Sequence, residues 1–115
     1  MEKLINFFKL LSDETRLRIL VLLYHDDFCV CQLAGIMRIS QPNVSKHLAG
    51  LRDMSLVRDE KREQYTFYSL NIEEKMFQDI FEKIVANLDK YPVLKSDIKE
   101  SEDAEKYIEL ANINK

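Results

Sequence analysis

A mainly helical chain carrying one small β-hairpin is the fold class this sequence predicts, on three observations. Of 115 residues only two are Gly and two are Pro, too few for the tight turns of an all-β protein. Apolar residues, 46% of the chain, recur at helical spacing along most of it. Only between Gln64 and Leu70 does the period shorten to two, with Tyr65, Phe67 and Ser69 alternating against Thr66, Tyr68 and Leu70. The length suits one compact domain, and the apolar content suffices for a core.

The elements come in this order. Leu4, Ile5, Phe7, Phe8 and Leu11 lie on one stripe of a first helix over residues 2–11. Ser12 and Asp13 offer an N-cap for a second, whose inward line is Leu17, Leu20, Val21 and Tyr24. Asp26 and Asp27 break that pattern and supply caps for a third, with Val30, Leu33, Ala34 and Met37 repeating the spacing. Ser40 opens a fourth, with Pro42 in the first turn, where a missing N–H costs nothing. Its buried line is Val44, Leu48 and Leu51. Leu56 to Arg58 is a short strand, Asp59 to Glu63 a charged hairpin tip, and Gln64 to Leu70 the return strand. A fifth helix spans about Ile72 to Lys90, ended by Pro92, and Ser101 can cap a final short one through Ala104, Tyr107, Ile108 and Ala111.

A short helix, a tight connection over Met37 to Ser40 and a second helix form a helix-turn-helix; the hairpin after it makes the pattern a winged one. Residues 1–91 are expected to form the DNA-binding and dimerisation domain, and 92–115 a C-terminal extension with room for a short helix. The apolar stripes of the first and fifth helices exceed what so small an interior absorbs, which predicts a helical homodimer interface. The longest apolar run, Ile19 to Tyr24, is six residues, far short of the ~20 that cross a bilayer, and no secretory signal is visible. The expectation is a soluble cytoplasmic protein with no membrane partner.

Charge is unevenly distributed. Residues 1–37 carry a balance of −1, residues 38–70 of +2 and residues 71–115 of −4. A chain binding nucleic acid indiscriminately would be basic throughout; here cations gather in the middle third. With its apolar line buried, the fourth helix turns Asn43, Ser45, Lys46 and Ala49 outward, flanked by Gln41 and His47. Short or planar hydrogen-bonding side chains around small residues suit close approach to base edges in the major groove. Gln41 or Asn43 can pair with adenine, Lys46 can hold a phosphate or guanine, and Arg58, Lys61 and Arg62 can reach the flanking backbone or minor groove. The partner so predicted is double-stranded operator DNA. A winged-helix protein-interaction module is the competing class.

These motifs resemble a known family. Ser12 to Leu20 (SDETRLRIL) resembles the SDxTRLxIL opening of the ArsR/SmtB metal-responsive repressors, and Ser40 to Leu48 with Leu51-Arg52 is similar to their SQPxVSxHLxxLR recognition helix. Phe28 to Leu33 (FCVCQL) resembles the LCVCDL metal segment of the arsenic-sensing branch. The likeness runs from about residue 4 to residue 88. It implies a homodimeric winged-helix repressor that leaves its operator when an inducer binds, with Gln41, Ser45 and His47 at base-contacting positions and Arg62 at the wing contact. The chain departs from the pattern in five places. Ser55 stands where the family has Gly, the wing tip lacks Gly, Gln32 replaces an acidic residue, Ala34 takes the place of a third cysteine, and the fifth helix holds no His for a zinc site.

Cys29 and Cys31 are the only cysteines. Thiolates suit soft ions, so As(III) or Sb(III) stand first as inducers, with Cd(II), Pb(II), Cu(I) and Zn(II) behind them and no permanent cofactor. Zinc would need His25 and Asp26 to complete its four donors. On an intact helix, residues i and i+2 lie about 200° apart, so gripping one ion is expected to require fraying of the first turn. Redox or reactive-sulfur sensing by the same fold is the alternative. No oxyanion site or orienting acid accompanies the thiols, so no enzyme is predicted.

Overall fold

In a computed structural model describing residues 1–113, the chain folds as α1 (Glu2–Leu11), α2 (Glu14–His25), β1 (Phe28–Cys29), α3 (Val30–Met37), α4 (Gln41–Asp53), β2 (Val57–Arg62), β3 (Tyr65–Leu70), α5 (Lys75–Ala86), a single 3₁₀ turn (Leu88–Lys90), α6 (Pro92–Ser101) and α7 (Glu105–Ile113). This is the winged helix-turn-helix order. The last two residues of the expected extension lie outside the described residues.

Local chemistry accounts for the helix starts. Asp13 caps α2, its carboxylate accepting the Arg16 N–H at 3.0 Å, and Ser40 caps α4, accepting the Asn43 N–H at 3.3 Å. The turn joining α3 to α4 depends on Arg38 in the left-handed region (φ 57°), with the Ile39 N–H closing on the Ala34 carbonyl at 3.2 Å. Ser55 ends α4 likewise (φ 60°), and the Leu56 N–H reaches the Leu51 carbonyl at 3.0 Å. The residue standing where the family has Gly therefore keeps glycine's conformation.

Five consecutive residues of α2, Ile19 to Leu23, are buried, because this helix is packed on several sides. Around it gather Phe7, Leu33, Met37, Val44, Leu48, Leu51, Phe77 and Phe81 in one core. Phe7 of α1 stacks on Phe77 of α5, ring centroids 4.1 Å apart, and so joins the two ends of the winged domain.

Five expectations change. The sheet has three strands in the order β1-β3-β2, because Phe28 and Cys29 pair antiparallel with Tyr68 and Phe67. Two residues were too few for an alternating pattern to register. The charged stretch Asp59 to Arg62 lies within β2 rather than at a hairpin tip; the turn is Glu63-Gln64, with Glu63 at φ 57°. Asp26 and Asp27 do not cap α3, whose N-cap is Cys29. The fifth helix runs from Lys75 to Ala86 and stops short of Lys90, so Pro92 does not end it but opens α6, and Ser101 is the last residue of α6 instead of the cap of a final helix. Proline is well placed at a first helical position because that N–H has no helical partner.

Two helices thus come after the winged domain, and both pack on it. Arg18 of α2 holds Asp97 of α6 with two bonds, Nε to Oδ2 at 2.7 Å and Nη2 to Oδ1 at 2.8 Å, while Nη2 also lies 3.4 Å from the Met37 carbonyl. Asp97 is only 3% exposed, so removing it strands a largely desolvated guanidinium. Asp97→Ala should lower unfolding free energy by about 3 kcal/mol, read as a lower midpoint in urea; an unchanged midpoint would show the pair to be energetically idle.

Candidate nucleic-acid interface and thiol pair

The outer face of α4 gathers most of the predicted readers. Gln41, Ser45 and Lys46 are exposed, Asn43 and His47 half-buried, and Val44, Leu48 and Leu51 buried beneath them. The first-turn N–H groups of α4 open on the same end and favour an anion. Partial burial holds His47 below its ordinary pKa; Asp13 opposes this, and Lys46 and Arg16 reinforce it. At neutral pH His47 is therefore an uncharged imidazole, a hydrogen-bonding group rather than a cation.

The wing cations divide. Lys61 is exposed on β2, opposite Thr66. Arg62 is engaged within the chain: Nη2 donates to Asp27 Oδ2 at 2.8 Å and the guanidinium lies 5.0 Å from the Phe67 ring centroid. Arg58 is not brought to the α4 face. It lines a groove with Tyr24, Leu70, Phe81 and Glu82. Its neighbour Asp59, on the other side of the strand, binds Arg52 of α4 at 3.1 Å.

The thiols meet. Cys29 Sγ and Cys31 Sγ are 3.0 Å apart. The 200° separation does not arise, because Cys29 is extended (φ −90°, ψ 172°) and precedes the helix whose first turn carries Cys31. No fraying is needed to bring the sulfurs together. Cys29 is 2% exposed and Cys31 half-buried. Burial, and after it the proton shared with the Cys29 sulfur, pushes the Cys31 thiol up to about 12, so it is protonated at neutral pH.

His25 and Asp26 do not complete a zinc set. His25 Nδ1 faces the Val21 carbonyl at 2.9 Å, Asp26 accepts the Asp27 N–H at 2.8 Å, and no group of three His, Cys, Asp or Glu among the described residues could hold a metal ion. A residue missed from sequence does reach the backbone of the cysteine pair: Gln32, 5% exposed, accepts the Cys29 N–H at 3.0 Å through Oε1. Its one signal was that it replaces an acidic residue of the resembled motif.

Comparison with known proteins agrees with the winged helix-turn-helix fold. Residues 13–59 match the model of the bacterial regulatory protein, arsR family. The chain is 36% identical over 81 residues to the arsenic resistance transcriptional regulator ArsR1 of Pseudomonas putida, covering 70% of this chain and 63% of that protein. It is 36% identical over 87 residues to the arsenical resistance operon repressor of Staphylococcus aureus, covering 76% of this chain and 78% of that one. Among solved structures, reduced HlyU from Vibrio cholerae superposes with a TM-score of 0.67 at 30% identity, over 78% of this chain and 90% of HlyU. The chain spans only about three fifths of the length of the P. putida relative. Among the described residues no helix is long and apolar enough to cross a membrane. The recognition-helix motif, the winged fold and these matches together place the chain in the ArsR family of bacterial regulatory proteins.

Proposed function

We propose that this chain is a homodimeric repressor that holds operator DNA with the outer face of α4 and lets go when As(III) or Sb(III) bridges Cys29 and Cys31. The observation that carries the reading is the sulfur pair, 3.0 Å apart at the head of the helix that supports α4. Arsenous acid reacts with two thiols by exchange: two As–S bonds form, two As–O bonds break, and each thiol proton leaves in a water molecule. Nothing is oxidised and no net charge is created. A protonated, half-buried Cys31 is compatible with that chemistry. Cd(II), Pb(II) or Zn(II) must expel thiol protons into solvent and also find further donors, which the described residues do not group there.

The signal has a short path. Leu33 and Met37 of α3 share the core with Val44 and Leu48 of α4, so a shift at the start of α3 displaces the reading face. In a dimer both half-sites must fit at once, which multiplies a small displacement. Ile5 and Phe8 of α1 and Met76 of α5, 45%, 47% and 50% exposed, supply the apolar surface for a second copy. On the DNA, Gln41 and Asn43 read adenine edges, Ser45 and the neutral His47 add hydrogen bonds, and Lys46 and Lys61 hold phosphates. Arg62 joins them after leaving Asp27, while Arg58 contributes through the general field of the wing base.

Fluorescence anisotropy with a duplex from upstream of the protein's own gene tests this. Gln41→Ala with Ser45→Ala should weaken binding by about 100-fold, at about 1–3 kcal/mol per base contact, and exposed Lys99→Ala should leave it unchanged. Arsenite should release the wild type but not Cys29→Ser with Cys31→Ser; release of the double variant would refute the sensing role. Peroxide serves as the redox control.

The two ion classes also differ in pH dependence. Between pH 6 and 8 arsenite affinity should stay flat, whereas cadmium affinity should climb about tenfold per unit for each proton expelled. Calorimetry at three pH values reads both slopes, and parallel slopes would remove the case for arsenic.

A further inference from the structure

Residues 92–113 lie beyond the stretch that matches the family motifs, yet they grip α3 at both ends. At its C-terminal end Arg18 joins Asp97 to the Met37 carbonyl. At the other end Gln32 is a tie with two hands: Oε1 accepts the Cys29 N–H at 3.0 Å, and Nε2 donates to the Ala104 carbonyl, between α6 and α7, at 3.4 Å. Between these points the Tyr107 ring lies directly on Gly35, where a Cβ would come within 2.2 Å of it. Cys31 opens on a groove walled on its far side by Tyr107, Leu110 and Ala111 of α7, with Gln41 of α4 at its edge. The far end of α7 reaches the wing, since Asn112 Oδ1 accepts from the Tyr65 hydroxyl at 2.6 Å and from Gln64 Nε2 at 2.9 Å.

We propose that α7 is a lid over the thiol pair, seated on Gly35 and latched by Gln32, which a thiophilic ligand must lift to bridge the two sulfurs. The lid rests on the sensing role proposed for the thiols, and it adds which element opens and how the opening reaches the wing. A trivalent centre bound to two sulfurs keeps a third substituent, and the groove into which Cys31 opens is the side that α7 covers. Drawing Cys29 toward a shared ion moves its N–H against Gln32 and so loads the Ala104 end of the tie. Lifting α7 withdraws Asn112 from the wing turn, a route from sulfur to the DNA-facing surface that bypasses the α3–α4 contact. Gln32 and Gly35 are positioning residues here; neither touches the ligand. Because a closed lid lowers apparent affinity by the fraction of molecules that are open, loosening it should tighten binding.

Two variants of the full chain loosen the lid from different sides. In Gln32→Glu the carboxylate still accepts from Cys29 but has no N–H for Ala104. In Gly35→Ala the new methyl meets the Tyr107 ring while α3 gains a better helix former. Hydrogen exchange on residues 105–112 and retained arsenic per chain are measured together, with arsenite as the probe. Arsenite should speed exchange of those amides about tenfold in the wild type. Both variants should show fast exchange without arsenite and bind it about fivefold more tightly. Wild-type protein that retains arsenic with unchanged exchange overturns the lid and leaves the sensing role standing. Variants that bind arsenite more weakly also overturn it, since α7 would then be part of the site. No retained arsenic overturns the sensing role and the lid with it.

Discussion

The switch of backbone from extended to helical between Cys29 and Val30 is the constraint on which the rest of this molecule depends. Held at φ −90° and ψ 172°, Cys29 pairs with Phe67 in the sheet while capping α3. The same bend folds its sulfur onto that of Cys31. One residue thus joins the wing, the first helix of the helix-turn-helix and the thiol pair. Had the helix begun a turn earlier, the sulfurs would point apart and the wing would lose its third strand.

The site so formed is suited to a neutral reactant. Burial disfavours the thiolate at Cys31, and no third acidic or imidazole donor among the described residues stands by to offset that cost. A cation must therefore be bound against the local electrostatics, whereas a neutral hydroxide of arsenic or antimony exchanges water for sulfur without changing charge. On the sensing role proposed above, selectivity between classes of inducer would come from what surrounds the sulfurs more than from sulfur itself.

Cations near the outer face of α4 are partly committed inside the chain. Arg52 is paired with Asp59 and Arg62 with Asp27, which fasten the wing to α4 and to the loop before β1. Exposed pairs of this kind contribute little stability, so their effect is to orient the wing against α4 and the loop before β1. The Arg18–Asp97 pair is different. It is desolvated, bidentate and linked to the end of α3, and it makes the C-terminal helices part of the same body as the helix-turn-helix.

Helical periodicity, the Ser40 cap, the Pro42 turn and the period-two segment of β3 were legible in the chain because each is a local signal, decided within one turn or one strand. The buried and exposed faces of α4 were legible for the same reason. Contacts between residues far apart in the chain were not. Strand β1 was too short to show a pattern, and its partner lies some forty residues downstream. Arg58 and Arg62 read as equivalent cations until folding set one in a groove and bound the other to Asp27. Cys29 and Cys31 read as opposed sulfurs because only pairing with β3 holds Cys29 out of the helix. Gln32 signalled only a departure from the resembled motif, and Gly35 nothing, since a carboxamide gains a second partner and a hydrogen in place of a methyl gains a purpose only when a distant segment, here Ala104 and Tyr107, packs against them.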